Sequence, residues 1–136
     1  INVFSGKDKA TVVTDTGIIS DDILHRIDDS TLLVLEANYD PHMLRFGPYQ
    51  PFLKQRVASD EGHLSNEMAA QALLMMKRPD FMQVILAHRS ENNNNAVLVT
   101  QTIGKMLVDG GVRIGPEMKL QHGQPNEIVS MQSIKR

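Results

Sequence analysis

The sequence predicts an α/β domain, and two patterns support this prediction. Apolar, β-branched runs alternate along the chain with amphipathic stretches, as they do in strand–helix–strand units. Two of the runs, TLLVL at residues 31–35 and FMQVILA at residues 81–87, are apolar at nearly every position, which is typical of strands buried on both faces. The 136 residues amount to one domain, which is enough chain to bury a sizeable core.

Composition narrows the class of protein. The chain is 41% hydrophobic and 22% charged with a net charge of -2, so any contact with nucleic acid must be local. The sequence contains no cysteine, which excludes disulfides, thiolate nucleophiles and cysteine-bound zinc from this chain. Such a composition is compatible with the cytoplasm, which is the predicted location. No apolar run approaches the roughly 18 residues of a membrane helix, so no membrane contact is predicted.

The first half of the chain predicts two strands around a short helix. Residues 10–14 form the first strand, and Ser20 caps a helix of about two turns. The buried strand at residues 31–35 follows. The connection at residues 37–52 holds three of the six prolines and has no clean period, so we expect a loop with about one turn of helix.

The second half repeats the alternation. Residues 52–59 are expected to be helical, and Ser65 or Asn66 caps a strong helix that Pro79 stops. The strand at residues 81–87 follows, and Asn94 or Asn95 caps a helix that ends before Gly110. The tail predicts one or two further strands, at residues 117–123 and 127–135.

Three strands are followed by polar residues of metal-ligand or acid–base type. The first strand leads to Asp15, the second to Glu36 and the third to His88. Ligand sites in α/β sheets gather at the carboxyl ends of strands, so these three side chains form a candidate site. Taken singly, Asp15 could be a turn residue and His88 a satisfied core histidine. A buried Glu36 needs a partner or a proton.

Two further motifs adjoin this candidate site. In GHLSN, His63 lies on a glycine-bearing loop before a helix N-terminus, a position that favours an anion such as phosphate. The alternative is an ordinary capped helix, with Ser65 as the cap and His63 exposed. The asparagines at residues 92–95 could likewise be a polar loop that leads into a helix cap.

Together, the motifs TDTG, LEANYD, GHLSN and LAHRSENNN resemble the second half of the metallo-β-lactamase-fold hydrolases. The nearest branch is the WalJ (YycJ)-like nucleases, with the tRNA 3'-end processing ribonucleases as more distant relatives. The resemblance covers about residues 9–101. It implies an α/β fold that is half of an αββα sandwich, with a mixed sheet and helices on its outer face.

The resemblance also implies roles for the candidate residues. Asp15 matches the carboxylate that bridges two divalent metal ions, zinc or manganese, and His88 matches the final histidine ligand. Glu36 and His63 resemble the pair that passes a proton to the leaving oxygen. Residues expected to flank the phosphate are Ser65, Ser90, Asn92 and Asn93.

Cations near these motifs are candidates for contacts with the nucleic-acid backbone. They are Arg45, Lys54, Arg56 and Arg89, for which surface solvation is the commoner fate. The aromatic content of 4% argues against a stacking platform for single strands.

The family's HxHxDH motif, which supplies most of the metal ligands, is absent from these residues. Asp15 and His88 alone fall short of the three protein ligands of a catalytic zinc. We therefore expect residues 1–136 to be the carboxyl-terminal half of a metallo-β-lactamase-fold domain, inactive alone. The upstream half would belong to the same polypeptide or to a second chain.

The predicted function of the complete protein is metal-dependent phosphodiester hydrolysis. The substrate is DNA rather than RNA, and the activity is that of an exonuclease. The alternatives are a non-catalytic half-domain with a binding or structural role, and a metallo-hydrolase of small esters or thioesters.

Overall fold

A computed structural model describes residues 1–123, which contain five strands and five helices. The strands are β1 (Asn2–Ser5), β2 (Asp8–Val13), β3 (Leu32–Glu36), β4 (Met82–Ala87) and β5 (Met118–His122). The helices are α1 (Asp21–Ile27), α2 (Pro41–Phe46), α3 (Pro51–Ala58), α4 (Asn66–Met75) and α5 (Ala96–Asp109).

The strands form one mixed sheet in the order β1-β2-β3-β4-β5. The first pair is an antiparallel hairpin that turns at Gly6, whose φ of 59° suits glycine. The other pairs are parallel and are joined by helical crossovers. Crossovers between parallel strands are nearly always right-handed. Because the strands are added to the sheet in chain order, the crossover helices all lie on one face of it. The predicted α/β fold with a mixed sheet is confirmed.

The core lies between the sheet and helices α1, α4 and α5. Leu33 and Val84 are paired in register on neighbouring strands, and both are fully buried. They belong to one cluster with buried apolar residues of the three helices, including Ile27, Leu73 and Ile103. This cluster fixes the strands in position, and the loops that follow them are therefore presented from a rigid edge.

The other face of the sheet carries an apolar row that is only partly covered. Val12, Val34 and Ile85 are paired in register across three strands. Val12 is 42% exposed, and the other two are half-buried. The expectation that residues 31–35 are buried on both faces is therefore wrong for Leu32 and Val34. The reason is that the core cluster of the described residues forms on the opposite face.

Polar side chains cap the helices as the sequence indicated. The Ser20 hydroxyl accepts a hydrogen bond from Ile23 N at 3.2 Å, as predicted. Of the alternatives, Ser65 caps α4 and Asn95 caps α5. Helix α4 ends at Met75, before the predicted stop, and Arg78 Nη1 donates to carbonyls of its last turn.

The connection at residues 37–52 is more helical than predicted, since it contains α2 and the start of α3. Pro41 and Pro51 are the first residues of these helices, where proline lacks only an N–H that the helix does not use. Asp40 Oδ1 caps α2 by accepting from Met43 N at 2.8 Å. The prolines start helices here, and the expectation of a loop with one helical turn is wrong.

The end of the described region agrees with the first of the two predicted terminal strands, since β5 covers Met118–His122. The second, at residues 127–135, lies outside the described residues. Within residues 1–123, every helix is too short or too polar to cross a bilayer.

Candidate metal and acid–base site

Four candidate side chains meet at one edge of the sheet. Asp15, Glu36, His63 and His88 each offer a possible ligand atom, and these atoms all lie within 4.8 Å of one another. Three of the four residues come at or just after the ends of β2, β3 and β4, which are parallel neighbours. The predicted convergence at the carboxyl edge of the sheet is therefore observed.

Glu36 is at the centre of this group. It is the last residue of β3 and its side chain is fully buried. Its Oε1 lies 2.8 Å from His63 Nδ1 and is also hydrogen-bonded to His88 Nδ1. Its Oε2 accepts from Leu64 N at 3.2 Å. The sequence indicated that a buried Glu36 needs a partner and pairs with His63, but the contact with His88 was not foreseen.

Asp15 is the exposed member of the group. Its side chain is 70% exposed, and its Oδ1 lies 3.5 Å from His88 Nδ1 and 3.8 Å from His63 Nδ1. Asp15 and His88 both adopt positive φ, at 59° and 56°. This left-handed conformation costs a non-glycine residue about 1–2 kcal/mol, and aspartate and histidine are among the types found there most often. Such strain at strand ends is characteristic of functional sites.

Two glycines allow close packing of the loops that carry Asp15 and His63. A Cβ on Gly17 would lie 1.7 Å from Ser59 O, and one on Gly62 would lie 2.2 Å from Arg56 O. Gly17 N donates to Asp60 O at 2.9 Å, which joins the two loops. A larger residue at Gly17 would push the two loops apart, so Gly17 is part of what brings Asp15 near His63. Gly62 lets the His63 loop fold back against the end of α3.

Three asparagines that the sequence analysis did not assign to the site hold its loops. Asn38 Nδ2 donates to His88 O at 2.7 Å, and Asn38 O accepts from Ser90 N at 2.8 Å. Asn66 and Asn94 are buried and hydrogen-bonded to each other, which joins the start of α4 to the loop before α5. The sequence offered a signal for these three residues, because each lies within one of the motifs LEANYD, GHLSN and LAHRSENNN.

The residues predicted to flank a phosphate differ in exposure. Ser65 is buried and its hydroxyl accepts from Met68 N, while Ser90 Oγ accepts from Asn93 N. Asn93 is buried, and its Oδ1 has no hydrogen-bond partner within residues 1–123. Asn92 is exposed. Their contact with phosphate stays a prediction.

The predicted backbone cations lie around the site and not within it. Arg45 is in α2, and Lys54 and Arg56 are in α3. Lys54 Nζ donates to Arg45 O at 2.7 Å, which ties the two helices together. Arg89 directly follows His88 and is half-buried. These roles also stay predictions.

The donor set suits a transition-metal or divalent-cation site and acid–base chemistry. Carboxylate oxygen and imidazole nitrogen both bind zinc and manganese. Asp15 and His88 are accessible, with side chains 70% and 47% exposed. The oxygens of Glu36 are occupied by two histidines and a backbone amide, so Glu36 is placed to orient rings.

Known proteins include relatives that match nearly the whole of this chain. The chain is 32% identical over 126 residues to exodeoxyribonuclease YycJ of Bacillus anthracis, which covers 93% of the chain and 48% of YycJ. It is 33% identical over 132 residues to exodeoxyribonuclease WalJ of Streptococcus pneumoniae, which covers 96% of the chain and 49% of WalJ. The chain is a relative of the WalJ/YycJ exodeoxyribonucleases.

The match to WalJ and YycJ confirms the resemblance that the four motifs indicated. The chain spans about half the length of the curated relatives that it matches. No family model matches the chain, and no solved structure does.

Proposed function

We propose that this chain is the carboxyl-terminal half of a cytoplasmic, metal-dependent DNA exonuclease of the metallo-β-lactamase superfamily. The observation that carries the proposal is the meeting of Asp15, Glu36, His63 and His88 within 4.8 Å. The names of the relatives, exodeoxyribonucleases in each case, support a nuclease and favour DNA over RNA.

In this proposal, His63 delivers the proton that the leaving oxygen needs when the phosphodiester bond breaks. Its Nδ1 is directed at Glu36, so its Nε2 is the atom that carries the transferred proton. Glu36 holds the ring in place through its hydrogen bond to Nδ1, as a carboxylate behind a histidine does. The buried position of Glu36 keeps this contact out of water.

Asp15 and His88 would hold the metal in the complete protein. When bound, two divalent cations make water a usable nucleophile at neutral pH and neutralise charge on the phosphate. Asp15 would supply its carboxylate and His88 its ring to the metal, and Glu36 orients the His88 ring. Two protein ligands are fewer than a catalytic site keeps, so the remaining ligands come from the upstream half.

The open face of the sheet supports an upstream half that packs against this chain. Val12, Val34 and Ile85 form an apolar row that water contacts in this chain. Burying apolar surface contributes roughly 25 cal/mol per Å², so a second sheet that covered this row would stabilise the complete protein. On this account the chain alone is inactive.

The test uses the full-length protein that contains this chain, loaded with zinc or manganese and supplied with linear DNA. His63→Ala is expected to lower the turnover number by about 10²-fold or more, the usual contribution of a general acid. The matched control is His25→Ala, since His25 is an exposed histidine away from the site. Unchanged turnover in His63→Ala would refute the proton-transfer role.

A second candidate function, a non-catalytic half-domain, is favoured by the open sheet face alone. Metal analysis separates the two candidates. The full-length protein should carry metal that is lost in the Asp15→Ala/His88→Ala double variant. Full-length protein that binds no zinc or manganese and cleaves no DNA would favour the structural role. A metallo-hydrolase of small esters would cleave such esters and leave DNA intact.

A further inference from the structure

Helices α2 and α3 form a surface whose charge differs from the rest of the chain. Residues 41–59 contain Arg45, Lys54 and Arg56 and no aspartate or glutamate, whereas the whole chain has a net charge of -2. The same segment holds three of the six aromatic residues, namely Phe46, Tyr49 and Phe52. Basic residues interleaved with aromatic ones are the usual composition of a nucleic-acid surface.

The aromatic rings on this surface are not part of the core. Phe46 and Phe52 are 67% and 63% exposed, and α3 contains no buried residue. The Arg45 guanidinium lies 5.3 Å from the centre of the Phe46 ring, and the His42 ring centre lies 4.6 Å from it. Planar groups are therefore clustered on the exposed side of α2, whose buried residue is Leu44.

Contacts place this surface beside the proposed site. The end of α3 meets the His63 loop, since His63 N donates to Val57 O at 2.9 Å. The end of α2 meets the loop after β4, because a Cβ on Gly47 would lie 3.1 Å from Asn93 Oδ1. A nucleic-acid strand bound to α2 and α3 would thus have its end near His63 and His88.

We propose that α2 and α3 bind the unpaired end of a DNA strand, with Phe46 and Phe52 stacked on its bases and Arg45 and Arg56 in contact with its phosphates. The choice of DNA rests on the proposed function. The low aromatic content predicted no stacking platform, but that value is an average over the chain, and half of the aromatic residues lie in this one segment.

The upstream half of the protein is the competing occupant of this surface. Charge argues against it, because the cores of protein interfaces are depleted of charged residues. Residues 41–59 combine two exposed phenylalanines with three cations, and the Arg45 guanidinium lies against Phe46, although carboxylates flank the segment at Asp40 and Asp60. The open sheet face, where Val12, Val34 and Ile85 are paired in register, is the better surface for a protein layer.

The test measures binding of a fluorescent oligothymidylate of about 12 nucleotides to the full-length protein in EDTA, so that no cleavage occurs. Phe46→Ala/Phe52→Ala is expected to raise the dissociation constant by at least about tenfold, since each stacked base contributes on that scale. Phe4→Ala is the matched control, because Phe4 is 68% exposed in β1 with a cation, Lys9, over its ring. It should bind as the parent does.

Each outcome decides the proposal. Unchanged affinity in the Phe46→Ala/Phe52→Ala variant, or no binding of oligothymidylate by the parent, would overturn it. A lower melting temperature with unchanged affinity would also overturn it and assign the surface to a contact within the protein. If binding depends on the two phenylalanines but the full-length protein cleaves no DNA, the binding proposal stands and the nuclease function is refuted. If the full-length protein cleaves DNA at the same rate with and without the two phenylalanines, the nuclease function stands and the binding proposal is refuted.

Discussion

Asn66 and Asn94 donate to each other's side-chain oxygen, at 3.0 and 2.8 Å, between the start of α4 and the loop before α5. Asn94 Nδ2 also donates to Ala37 O at 3.2 Å, directly after Glu36. One buried amide pair therefore connects the segments that carry Glu36, His63 and His88. The distances between these side chains depend on it.

Asn94→Ala should destabilise the full-length protein by about 1–3 kcal/mol, because Asn66 would keep a buried amide without its partner. Chemical denaturation measures the change in the free energy of unfolding. The control is Asn92→Ala, since Asn92 is an exposed neighbour in the same loop and should stay within about 0.5 kcal/mol of the parent. Equal effects of the two substitutions would show that the amide pair adds nothing.

Glu36→Gln should weaken metal binding by about 10–100-fold, the usual effect of removing a carboxylate behind a ligating histidine. The neutral amide keeps the shape of the side chain but lacks the negative charge of the carboxylate. It also cannot form all three of the hydrogen bonds that Glu36 makes with the two rings and with Leu64 N. Titration calorimetry with zinc or manganese measures this. Glu61→Gln, at an exposed carboxylate of the loop before His63, should bind as the parent does. Unaltered affinity for the metal in Glu36→Gln would show that Glu36 does not support metal binding.

Two Gly→Ala substitutions should have opposite signs. At Gly17 the new methyl would lie 1.7 Å from Ser59 O, so we expect a loss of about 1–3 kcal/mol of stability. At Gly104, within α5, the nearest atom is Ile114 Cδ1 at 4.0 Å, and alanine should add about 1 kcal/mol through helix propensity. Thermal melts of both variants provide the comparison, and a neutral Gly17→Ala would show that the loops can separate freely.

His122 should make stability depend on pH. Burial, and to a lesser extent the positive charge of Arg89, hold the pKa of His122 below its usual 6.5. The unfolded chain then takes up the proton first, so the stabilisation is fully present above about pH 6.5 and is lost as the pH falls from there through the lower pKa of the folded state. His122→Asn should flatten this part of the melting-temperature profile between about pH 5 and 7. An identical profile in both proteins would contradict the shift.

Much of the fold was predictable because it depends on local signals. The strands at β3 and β4 follow from apolar runs, and Ser20 caps α1 because a hydroxyl before two carboxylates favours a helix start. Helix α3, at Pro51–Ala58, agrees with the helix expected at residues 52–59. Helix α2 was expected only as about one turn within a loop, because it lacks an apolar stripe and begins with a proline, which also marks loops. Its start depends on the Asp40 cap, which the sequence pattern did not indicate.

The candidate site was predictable to the level of its four residues but not of its contacts. Asp15, Glu36 and His88 follow strands that turn out to be parallel neighbours, so their convergence could be expected. The pairing of Asn66 with Asn94 joins residues 28 positions apart, and no periodicity marks it. Side-chain amides pair only when the tertiary fold brings them together, which is why such contacts need coordinates.

Because a single oxygen of Glu36 contacts both His63 and His88, the two rings cannot be adjusted separately from position 36. Any shift of that carboxylate moves the orientation of both imidazoles at once. A substitution at position 36 should therefore change the orientation of both rings together, and a change confined to one ring should come from the loop that carries His63 or His88.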